Sequence, residues 1–84
     1  MKKIITQIDY GHSDDYAVLN TGRYEFYFGY EHEIEDNPGF YVKENGKIIK
    51  EFSSKELDKI APSYFDGDVR GYLICGIGLF LLGA

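Results

Sequence analysis

A chain of 84 residues, 44% hydrophobic and 27% charged, has the make-up of one globular domain spanning 1–84, with no room for a second. A domain of this size buries only about 60% of its unfolded surface, and length alone excludes the doubly wound and barrel enzymes built around large cofactors. Nine Lys and Arg against fourteen Asp and Glu give a net charge of −5, which repels phosphate backbones and argues against direct nucleic-acid binding.

Gly and Pro punctuate a string of short elements. Lys2 to Asp9, rich in isoleucine, predicts a first strand. Gly11–Asp14 predicts a turn, and Asp15–Asn20 a second strand. Asn20-Thr21-Gly22 then turns the chain into a third strand near Arg23. Its even positions are Tyr24, Phe26, Phe28, Tyr30, His32 and Ile34. Its odd positions are Arg23, Glu25, Tyr27, Gly29, Glu31, Glu33 and Glu35. This alternation predicts one face on a core and one acidic face in water, with Gly29 marking a bulge or bend.

Asn37-Pro38-Gly39 is expected to break that strand. Asn45-Gly46 is the favoured dipeptide of a type I′ hairpin. The register would set Glu44 opposite Lys47, Val42 opposite Ile49 and Tyr41 opposite Lys50. Ser53-Ser54-Lys55-Glu56 is a capping box, with Phe52 and Leu57 as its hydrophobic staple. It predicts a helix over 54–61, stopped by Pro62. A turn at Asp66-Gly67-Asp68 leads into a last element from Val69.

That element contains Tyr72–Leu82, YLICGIGLFLL, too short to span a membrane. Gly76 and Gly78 weaken a helix and favour a buried strand, while the periodicity does not separate strand from helix. The chain as a whole predicts an α+β fold: an antiparallel β-sheet of four to five strands with one short α-helix packed on one face. Phe26, Phe28, Ile34, Val42, Ile49, Leu57, Ile60, Ile74 and Ile77 form the expected core.

The catalytic inventory is close to empty. Cys75 sits in an apolar run, which makes its thiol inert, and as the sole cysteine it has no disulfide partner. With no signal-peptide pattern at the N-terminus, a cytoplasmic location is expected. His12 lies near Asp9, Asp14 and Asp15, but the spacing fits no metal site, and turns collect Asp and Ser for backbone reasons. Ile8-Asp9-Tyr10-Gly11 resembles the first phosphate loop of actin-like ATPases, a two-domain architecture that this length excludes. No enzyme activity, cofactor or metal is expected.

Surface chemistry remains. Glu25, Glu31, Glu33 and Glu35, with Tyr27 among them, form a ridge at roughly 6.6–6.8 Å pitch on a regular strand. Tyr30 flanks the ridge and Asp36 ends it. A row of carboxylates at this pitch suits a groove that normally holds a phosphate backbone, and tyrosines serve as interface anchors.

In size and charge the chain resembles small acidic phage or mobile-element inhibitors, such as anti-CRISPR and anti-restriction proteins. Immunity proteins for basic nuclease toxins are similar in the same way. The resemblance implies a stoichiometric inhibitor, a nucleic-acid mimic that covers the basic surface of a nucleic-acid-binding partner protein. The alternative is a structural module that homodimerises through Tyr72–Leu82.

Overall fold

The computed structural model describes residues 9–60 and 68–83. Five strands follow in order: β1 (Asp9–His12), β2 (Tyr16–Asn20), β3 (Tyr24–Ile34), β4 (Asn37–Glu44) and β5 (Lys47–Ser53). Two helices follow, α1 (Ser54–Ile60) and α2 (Val69–Leu81). The strands form one open antiparallel sheet in the order β1-β2-β3-β4-β5, an α+β fold. Residues 2–8 of the expected first strand, Ala61, Pro62 and the first two residues of the Asp66-Gly67-Asp68 turn lie outside the described residues.

Three hairpin turns differ from expectation in instructive ways. Gly11 and His12 belong to β1, and the turn is at 13–15, where the Ser13 amide donates to the Tyr16 carbonyl at 2.8 Å. Asn37-Pro38-Gly39 does not end a strand; it begins β4. The chain turns one step earlier, at Glu35 and Asp36, with φ of 56° and 65°. Both central residues of a two-residue I′ hairpin need positive φ, and the Asn37 side-chain amide secures this one by donating to the Glu35 carbonyl at 2.9 Å. Pro38 is tolerated because it lies past the last β4–β5 pair, Gly39 with Ser53.

The Asn45-Gly46 turn places Glu44 opposite Lys47 as expected, and Lys43 opposite Ile48. The register then slips, so that Val42 faces Lys50 and Tyr41 faces Glu51. Ile49 is the extra residue of this bulge and is 44% exposed rather than core. The slip brings Phe52 opposite Phe40, and the two rings stack at 5.8 Å.

Both helices cover the face that carries Ala17, Phe26, Phe28, Phe40, Val42 and Phe52. The capping box closes reciprocally: the Ser53 amide donates to Glu56 Oε1 at 2.9 Å, and the Glu56 amide to Ser53 Oγ at 3.2 Å. Phe52 and Leu57 are both buried, as a staple requires.

The last element is a helix, not a strand. Asp68 caps it, accepting from the Arg70 amide at 2.8 Å. Gly76 does not merely weaken this helix. A Cβ there would overlap the Phe40 ring, so the glycine lets the helix axis approach the sheet. Leu73 and Cys75 are buried on that side, while Ile74 is 59% exposed on the other. Ile60 is likewise exposed, because α1 turns only Leu57 fully inward. Ile34 and Ile77 are half-buried at the margin. Among the described residues no helix is long and apolar enough to cross a membrane.

Candidate functional site

β3 pairs regularly with β4 from Tyr24 opposite Glu44 to Gly29 opposite Gly39. The next pair is Glu33 with Pro38, so Tyr30, Glu31 and His32 have no counterpart on β4. A bulge at Gly29 is thus present, and its size matters. Directly paired residues share a face of the sheet. Glu25 and Tyr27 therefore lie on the open face with Lys43 and Tyr41. Glu33, paired with Pro38 next to the core position Phe40, points to the helix side.

Beyond the bulge the even positions reach the open face. The His32 ring meets Tyr41 edge-on at 4.9 Å, and its Nε2 lies 2.6 Å from Glu51 Oε2. Ile34 lies under Gly39 on the same side. The single-faced ridge of Glu25, Glu31, Glu33 and Glu35 is thus broken at Glu33, because the extra residues invert the alternation; Glu31 stays on the open face beside Tyr27 and Tyr41. Glu25 has a partner of its own. Its Oε2 accepts a 2.6 Å hydrogen bond from the Tyr41 hydroxyl, close to the Asn45-Gly46 end of the sheet.

What Glu31, Glu33, Glu35 and Asp36 share is an end. β2 begins at Tyr16, opposite Gly29, so the last residues of β3 run out beside the β1–β2 turn. The Tyr30 amide donates to the Asp15 carbonyl at 3.2 Å and ties the two segments. Asp14, Asp15, Glu31, Glu33, Glu35 and Asp36 gather there, all exposed. None of the six makes an ion pair among the described residues. Tyr30 stands with them, 54% exposed. Asp14 and Asp15 were hidden from the ridge pattern because they come from a different hairpin.

The open face behind this end is a row of tyrosines. Tyr16 stacks on Tyr27 at 6.2 Å, and Tyr27 on Tyr41 at 5.0 Å, with interplanar angles of 11° and 18°. Tyr27, expected to project as an anchor, is instead buried as the centre of the row. Gly29 makes this possible, since a Cβ there would come within 2.5 Å of the Tyr27 hydroxyl oxygen. That oxygen accepts from the Glu31 amide at 3.2 Å, which pins the bulge to the row. Burial pushes the Tyr27 and Tyr41 hydroxyls above the ordinary tyrosine pKa, and for Tyr41 the Glu25 carboxylate adds to the effect.

A shallow cleft of about 510 Å³ opens where the row meets the acidic end, lined by Ser13, Asp15, Tyr16, Tyr27, Tyr30 and Glu31. Among the described residues no three His, Cys, Asp or Glu side chains gather to hold a metal. Cys75 has its thiol pushed up by burial, away from the reactive range. The chain matches no protein-family model, no curated protein and no solved structure.

Proposed function

We propose that this protein acts by binding, as a stoichiometric inhibitor that covers a basic, nucleic-acid-binding surface of a partner protein. One observation carries the reading: two turns gather six carboxylates, without ion pairs among the described residues, around an exposed tyrosine. Such a surface speeds encounter with a basic cleft and sets the register of docking. Tyr30, rather than the buried Tyr27, is the anchor.

The test is recovery of the partner from native cells with the protein and with a triple variant, Glu31→Lys, Glu33→Lys and Glu35→Lys. The expected partner is basic, is released by salt and is displaced by nucleic acid. A partner held equally well by the triple variant would remove the acidic end from the mechanism. The homodimer alternative rests on the outward residues Ile74, Leu81 and Leu82, since Leu73 and Gly76 pack inward. Under it, Leu81→Asp would dissolve a dimer that the glutamate reversals leave intact.

A further inference from the structure

The tyrosine row treats its two ends differently. At the β4 end the chain itself supplies a cation, with Lys43 Nζ 5.0 Å from the centre of the Tyr41 ring. Arg23 over Tyr24 and Lys50 over Phe52 repeat the pairing elsewhere, at 4.9 and 5.4 Å. At the β2 end the cleft is lined by Tyr16, Tyr27, Tyr30, Asp15 and Glu31, and among the described residues none that lines it is basic. A cation placed over aromatic faces is attracted by their quadrupole, and adjacent carboxylates add charge-assisted hydrogen bonds. A flat guanidinium exploits both at once: it stacks on a ring and donates from its edge, which a compact ammonium cannot do.

We infer that this cleft is the subsite for an arginine side chain of the basic partner, a statement that rests on the binding reading above. Tyr16 supplies the stacking face, Asp15 and Glu31 accept from the guanidinium edge, and buried Tyr27 is the floor, with Tyr30 at the rim. The cleft is set before binding. Tyr27 is fixed by its neighbours Tyr16 and Tyr41, and Glu31 by its amide on the Tyr27 hydroxyl. The fold provides the place for the group, so little ordering is left to the encounter.

The test titrates the full chain with oligo-arginine and oligo-lysine peptides of equal length, followed through the NMR signals of Tyr30 and Glu31. Oligo-arginine should bind roughly fivefold to tenfold more tightly than oligo-lysine. Tyr16→Ala and, separately, the isosteric Glu31→Gln should erase that preference while salt-sensitive binding of both peptides persists. Glu33→Gln removes the same charge outside the cleft and should preserve the preference.

Equal affinities in the wild-type protein overturn the cleft and leave the acidic end as the contact. So does an arginine preference that survives both cleft variants. Absence of binding by either peptide also overturns the cleft. The acidic end then stands or falls on its partner's response to the triple reversal.

Discussion

At one end of the sheet the β2–β3 and β4–β5 turns bring Arg23 and Lys43 beside Glu25 and Glu44. At the other, the β1–β2 and β3–β4 turns bring together Asp14, Asp15, Glu31, Glu33, Glu35 and Asp36. At the mixed end the charges find partners within the chain: Arg23 Nε lies 2.8 Å from Glu44 Oε2, Glu25 accepts from Tyr41, and Lys43 covers the Tyr41 ring. At the acidic end folding concentrates like charges that form no ion pair among the described residues, and compaction of unpaired charge is repulsive. Where a fold tolerates such a concentration, its value lies in what it meets. The proposed contact surface rests on this contrast more than on net charge.

The comparison breaks most decisively by exchanging charge at each end in turn. Glu31→Lys, Glu33→Lys and Glu35→Lys together should weaken partner association by orders of magnitude, since juxtaposed like charges cost several kcal/mol. Lys43→Glu with Lys47→Glu at the mixed end should change it by less than about threefold, because charge away from the contact acts only through the screened long-range field. Isothermal titration with the recovered partner measures both.

Phe28 is the last core residue before the bulge, 1% exposed and stacked on Tyr72 at 4.6 Å. Phe28→Ala should destabilise by about 3–5 kcal/mol in chemical denaturation, and with the core loosened the acidic end should lose its partner as well. An unchanged melting curve would contradict the facing assigned to β3.

The tyrosines give a smaller, pH-dependent effect. The Tyr72 hydroxyl, packed against the core and donating to Asp58, is pushed up to about 12, and Tyr27 and Tyr41 are also raised. A group raised in the folded state holds its proton there after the unfolded chain has lost it. Stability should be constant up to about pH 10, the ordinary tyrosine value, and fall as pH rises toward 12. Tyr72→Phe should flatten part of that slope in denaturation at graded alkaline pH.

The smallest effect has opposite signs at the two ends. Glu33→Gln with Glu35→Gln should stabilise by a few tenths of a kcal/mol at low salt, by relieving repulsion. Glu44→Gln should destabilise by less than about 1 kcal/mol, since its pair with Arg23 is exposed on the arginine side. Added salt should shrink both.

These ends were only partly legible in the sequence. Asn45-Gly46 and the Ser53–Glu56 box were, because their chemistry is local and contained in adjacent residues. The alternation of β3 was legible as far as Gly29. Beyond it the pattern continued on paper while the chain inverted, since the bulge answers to where the Glu35-Asp36 turn starts β4. That turn lacks glycine and gives no strong signal. The acidic end was invisible as a unit because Asp14 and Asp15 join it through β2–β3 pairing. α2 stayed undecided between strand and helix for a different reason: it is apolar on nearly every side, so no helical period appears, and its Gly76 answers to Phe40 across the core.

Every strand of this sheet pairs with its neighbour along the chain. Such connectivity needs only short loop closures, which favours fast assembly. The layer that covers Phe26, Phe28, Phe40 and Phe52 arrives last, however, because α2 follows all the strands in the chain. During synthesis the hairpins can emerge and pair while α2 is still unmade, with the phenylalanine face bare to other nascent chains. Docking of the glycine-notched helix is then a late event, after the chain has committed to the sheet. In kinetics, Leu73→Ala should accelerate unfolding and leave the folding rate nearly unchanged, the behaviour of a contact made after the barrier.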